Sequence, residues 1–102
     1  MKLQINDEGV TIELEKIEKI NTLKEQMSVF TNALELAQPI TLEAQDVTEI
    51  DTPSVQLILS FLLAAKEKGI SFKWQEISAT VESTVTHLGL APLLNFKKNK
   101  RG

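Results

Sequence analysis

The sequence predicts an α/β fold with a mixed four-stranded sheet and helices packed mainly on one side, in the order β-β-α-β-α-β-α. Two short β-prone runs, KLQIN and VTIELE, flank the turn signal DEG near the start of the chain. After Lys19 the apolar spacing changes to a helical period. Between residues 40 and 75, a strand, a helix and a strand follow closely enough to demand a parallel, right-handed crossover.

The first two strands are expected near residues 2–5 and 10–15. Leu23, Met27, Phe30, Leu34 and Ala37 fall at i, i+4, i+7, i+11 and i+14, one stripe of a helix. Asn21 or Thr22 can cap its start, with Glu25 three residues after Thr22 as a capping-box partner. Pro39 ends it, because proline lacks the N–H the helix needs and restricts Gln38. ITLEA then forms the third strand. The segment QDVTEIDTPSV is polar apart from Val47, Ile50 and its last residue, and its end carries several helix-start signals. Asp51 or Thr52 can accept hydrogen bonds from the first free N–H groups, and Pro53 suits the first turn. The helix predicted over 53–68 stops at Gly69, after Lys66 and Lys68 have complemented the negative end of its dipole. ISFKWQ is a strand with Ile70, Phe72 and Trp74 on one face, which packs on the sheet. Val81, Val85 and Leu88 mark a last helix ending at Gly89. LAPLLNF is expected to close a single domain over residues 1–96, leaving 97–102, KKNKRG, as a basic, flexible tail.

Composition removes several function classes. At 102 residues and 42% hydrophobic, the chain supports one compact core and not two. A formal net charge of −3, with both signs scattered, argues against a nucleic-acid partner, which would call for a basic face. The absence of cysteine rules out disulfides, thiolate metal sites and a thiol nucleophile. The longest near-continuous apolar run, residues 55–65, is far short of a membrane span, and no apolar segment follows the charged start. A cytoplasmic protein without direct membrane insertion is expected.

The sequence offers little for catalysis. His87 is the single histidine and has no second His or Cys to complete a transition-metal set, so it is expected to be structural or at the surface. The four glycines form no phosphate-cradling motif. No metal and no cofactor are expected. Glu13, Glu15 and Glu18 read as a solvated strand edge and loop, and Glu43, Asp46, Glu49 and Asp51 spread over a strand end and its loop. An enzyme using Asp51 and Glu49 would need an enclosed pocket and a strongly shifted carboxylate, which a single sheet layer of this size is poorly able to enclose. No catalytic residue is assigned.

The turn Asp51-Thr52-Pro53-Ser54 places one carboxylate and two hydroxyls at the positive end of a helix. Its structural role is an N-cap contributing about 1 kcal/mol. Its functional role would be regulatory, with Thr52 or Ser54 as phosphoacceptor, since a phosphoryl group at a helix start meets free N–H groups and remodels a docking surface. The helix that follows is apolar almost all round: within 55–65 only Gln56 and Ser60 are polar. Either it is buried between the sheet and a neighbouring helix, or part of the surplus, Val55, Leu59 and Leu63, is a docking face.

Residues 40–96 resemble the STAS domain of bacterial anti-sigma-factor antagonists, and in particular its small stand-alone members. The resemblance rests on EIDTPSVQLILSFLLAAKEKGISFKW followed by HLGLAPLL, in the order of that family's strand, Asp-Ser-Ser-Gly-Leu or Asp-Thr-Ala-Gly-Leu loop, helix ending near Lys-x-Gly, strand and Leu-Gly-Leu. Asp51 matches the family aspartate, Thr52 the first hydroxyl, Pro53 the second position, Ser54 the glycine and Val55 the apolar residue opening the helix. The resemblance implies a non-enzymatic regulatory module whose partner is a kinase-like anti-sigma factor, bound through Asp46, Glu49, Asp51, Thr52, Pro53, Ser54, Val55, Leu59 and Leu63. In the sigma-regulating members the second hydroxyl is the phosphorylated one, and here that slot holds Pro53. The binding role therefore carries over better than the phosphoswitch. An accessory subunit of a lipid-transport or chemotaxis-type signalling complex is the alternative, for which an Asp-Thr turn lacking the second hydroxyl is less surprising.

Overall fold

The computed structural model describes residues 1–90; the expected closing segment from residue 91 and the basic tail at 97–102 lie outside the described residues. Strand β1 (Lys2–Asn6) and strand β2 (Gly9–Glu13) form an antiparallel hairpin around Asp7 and Glu8, where Asn6 Oδ1 accepts the Glu8 N–H at 2.9 Å. Strand β4 (Ile40–Ala44) pairs parallel with β2, and strand β6 (Phe72–Ile77) pairs parallel with β4, giving a mixed sheet ordered β1-β2-β4-β6. The expected four strands and the parallel crossover are both present. A bulge at Gln75 separates the pairs Leu42–Trp74 and Glu43–Glu76.

Two short strands were not anticipated. Strand β3 (Ile17–Glu18) and strand β5 (Glu49–Ile50) pair in parallel as a separate two-stranded sheet. Each is too brief for an alternating pattern to show in the sequence. They brace the loops that leave the C-terminal ends of β2 and β4.

Helix α1 (Leu23–Leu36), helix α2 (Thr52–Glu67) and helix α3 (Ala79–His87) complete the described fold, with a single 3-10 turn at Ile20–Thr22 leading into α1. Val10, Ile12, Ile40, Leu42 and Ala44 are buried on one face of the sheet, whereas Thr11, Glu13, Thr41 and Glu43 on the other are only half-buried. The buried residues of all three helices join the first set in one core, so the helices cover that face. Phe30 of α1 stacks on Phe61 of α2, with ring centroids 4.3 Å apart. Phe72 and Trp74 share the core face through their register with Ile40 and Leu42, but β6 lies at the sheet edge and both remain half-buried. Among the described residues no helix is long and apolar enough to cross a membrane.

Helix α1 departs from its expected orientation. Its buried residues are Gln26, Phe30 and Ala33, while Leu23 and Met27 are exposed and Ala37 is the C-cap with a left-handed φ of 54°. Thr22 makes no side-chain cap; its hydroxyl donates instead to the Lys19 carbonyl at 2.7 Å. The helix is thus rotated by one residue about Phe30, and the reason is the buried polar cluster that Gln26 enters.

Candidate functional site

The start of α2 lies at the C-terminal end of the parallel strands, where loops of an open α/β sheet gather. Asp51 is its N-cap: in extended conformation, with φ −94° and ψ 163°, it accepts the Ser54 N–H on Oδ1 at 3.0 Å. The Asp51 carbonyl accepts the Val55 N–H at 3.1 Å, and Pro53 sits in the first turn without an N–H to offer. Thr52 and Pro53 are exposed.

Beneath the turn runs a closed ring of hydrogen bonds. The Asp51 N–H donates to the Glu18 carbonyl at 3.2 Å, which ties α2 to β3. The Gln26 side-chain amide donates to Ser54 Oγ at 3.2 Å and to Glu18 Oε1 at 3.0 Å, with a longer contact of 3.4 Å to the Lys19 carbonyl. Glu18 Oε2 in turn accepts the Glu15 N–H at 2.7 Å. Glu18, Gln26 and Ser54 are each no more than 1% exposed. The positive charge that balances Glu18 is the Met1 ammonium, 3.3 Å from Glu18 Oε2, 3.1 Å from Glu15 Oε2 and 3.7 Å from Glu25 Oε2.

These contacts correct the expectation that Glu13, Glu15 and Glu18 are alike in lining a solvated edge. Glu15 is exposed, but Glu18 is buried and serves as the hub of the cluster. Gln26 escaped sequence reasoning because Leu23 and Met27 offered a more apolar stripe. Ala33 was the available signal: a small residue seven positions after Gln26 and three after Phe30 marks a face packed closely.

The ammonium gives the cluster a pH dependence. Burial alone would lower its pKa; the Glu15 hydrogen bond and the Glu18 charge outweigh burial and raise it above the usual α-amino range. A group whose pKa is higher folded than unfolded stabilises fully below its unfolded value and loses that contribution as pH rises through the folded one. Denaturation midpoints are therefore expected to fall as pH rises above about 8. The same titration on Nα-acetylated chain should lack this component, and matching curves for the two would show that the ammonium does not stabilise the fold.

The other expected site residues are scattered by depth. Ser54 and Val55 are buried, Leu59 is half-buried and Leu63 is 47% exposed, so the stripe is not a uniform face: depth increases toward the helix start. Asp46 and Glu49 are exposed, and Glu49 pairs with Lys19 at 3.2 Å. A cleft of about 430 Å³ beside Asp46 is lined also by Lys2, Glu13, Lys16 and Ile17. A larger one, about 690 Å³, lies at the opposite end of the sheet around Asp7, Gly9, Pro39 and Ser71. Neither is lined by Asp51 or Glu49. His87 is exposed in the last turn of α3.

Two N–H groups of the first turn of α2 already have acceptors. Pro53 has no N–H, and the Ser54 and Val55 N–H groups are already engaged by Asp51. A phosphoryl group on Thr52 would meet the neighbouring Asp51 carboxylate and compete with it for the Ser54 N–H. No known family model matches the chain, and no curated protein is significantly similar to it.

Proposed function

We propose that the chain is a non-enzymatic protein-interaction module of the STAS kind, similar to anti-sigma-factor antagonists. It binds a kinase-like anti-sigma or signalling partner through the α2 start and the outward part of α2. The observation that carries this reading is the exposed Thr52–Pro53 turn, held by the Asp51 cap on a buried polar base and continuous with the exposed Leu63. Thr52 is the phosphoacceptor in this reading, since Ser54 is buried with its hydroxyl bonded to Gln26. A regulatory charge acts by displacing the cap. One observation favours a second reading, a constitutive accessory subunit of a lipid-transport or chemotaxis-type complex: Pro53 occupies the second position of the turn and cannot be phosphorylated.

The test is quantitative capture from a lysate of the source organism with wild type and Thr52→Glu side by side, with phosphosites mapped in the same samples. Thr52→Glu is expected to weaken partner binding by at least about tenfold, or 1.4 kcal/mol. A kinase-like partner lost from the variant, with phosphate on Thr52, supports the switching module. An unmodified chain held equally by both in a transporter or receptor complex supports the constitutive subunit. Leu63→Asp separates docking from burial: it should fold with a thermal midpoint near that of wild type and lose the partner, whereas Val55→Asp should fail to fold because it buries a charge. A folded Leu63→Asp that keeps full affinity removes the outward part of α2 from the interface.

A further inference from the structure

The ring beneath α2 contains a cost that packing alone does not explain. Gln26 Oε1 is buried and has no hydrogen-bond partner, a situation costing about 1–3 kcal/mol. A leucine would fill the same space without that orphan oxygen, but it would leave the buried Glu18 Oε1 and Ser54 Oγ without this donor. What Gln26 supplies instead is connection: its amide bridges Ser54 on α2 and Glu18 on β3, and Glu18 holds Asp51 through its own carbonyl. Asp51 closes the circuit by accepting from Ser54. Every member of the ring therefore has two neighbours in it, and opening any one bond loosens the constraint on the others.

We propose that Gln26 is the positioning residue of the α2 start, and that the ring it closes makes the Asp51–Ser54 cap and the buried Glu18 carboxylate one two-state unit. When the cap is broken, Ser54 is released, Gln26 follows it, and Glu18 turns away from the Glu15 amide. Modification or contact at the exposed turn is thereby transmitted to the β2–β3 loop, which carries Glu15, Lys16 and the 430 Å³ cleft beside Asp46. The use of this coupling rests on the turn being the partner-facing element. The coupling itself is measured in the free protein, so the two readings fail separately.

The Glu15 amide is the reporter, because its 2.7 Å bond to Glu18 Oε2 shifts its proton resonance downfield and protects it from exchange. Asp51→Ala removes the cap at the far side of the ring. In an otherwise wild-type chain it is expected to raise Glu15 amide exchange by about tenfold and move the resonance upfield, with the Ile12 and Leu42 amides of the central strands unchanged. In a Gln26→Leu background the same substitution should leave Glu15 exchange within about twofold of that background's value. Ser54→Ala opens the ring at the hydroxyl while keeping Gln26 paired with Glu18, and replaces Gln26→Leu should that variant not fold. A Glu15 amide that ignores Asp51→Ala in the wild-type chain, or responds equally in both backgrounds, overturns the proposal.

Discussion

Gly9→Ala is expected to cost about 3 kcal/mol or more of unfolding free energy. Gly9 opens β2 with φ +144°, where an L side chain is strained. A Cβ there would stand 2.3 Å from the Pro39 carbonyl oxygen, well inside van der Waals contact. That oxygen cannot retreat without loss, because it accepts the Val10 N–H at 2.9 Å and so sets the register of Val10 against Ile40. Strain and clash therefore act at the first rung of the central β2–β4 ladder. For a domain of this size the loss corresponds to a fall of roughly 12–24 °C in thermal midpoint. A midpoint within a few degrees of wild type would mean that the α1–β4 connection can swing away and that the ladder is pinned elsewhere.

Glu18→Ala should be comparably damaging, at about 3 kcal/mol, while Glu15→Ala costs less than about 1 kcal/mol. The two residues are three apart and touch the same ammonium, yet their surroundings differ. Removing the Glu18 carboxylate leaves the part-buried Glu15 N–H without its acceptor and deprives the buried Gln26 amide of its shortest bond. Removing Glu15 exposes its partner to water, which replaces most of what is lost. Chemical denaturation of both variants at neutral pH decides the matter. Equal effects would return Glu18 to the solvated edge that the sequence suggested.

Local signals were readable because their causes lie within a few residues. The hairpin around Asp7 and Glu8, the Asp51 cap, Pro53 in the first turn of α2, and the stops at Gly69 and Gly89 each follow from one residue's own stereochemistry or hydrogen-bonding reach. The mixed sheet followed from these, since strands joined by a two-residue loop must be antiparallel, whereas a parallel pair needs a crossover of the kind that α1 and α2 provide. The candidate turn was legible for the same reason, although its depth was not: nothing local distinguishes the exposed Thr52 from the buried Ser54.

What the sequence by itself determined is the order of the three helices and the four strands of the main sheet, their boundaries to within a few residues, and the capped turn. The tertiary structure alone decided which of two stripes α1 buries. Met27 is more apolar than Gln26, and the choice falls to Gln26 because Glu18, eight residues before it, and Ser54, 28 residues after it, supply acceptors that only the assembled fold brings within 3.2 Å. The same holds for the paired β3 and β5, for the buried charge of Glu18, and for the close approach of Gly9 to Pro39. Propensity, capping and periodicity are properties of a segment. The burial of a polar group is a property of its partners, and those are fixed only when distant segments meet.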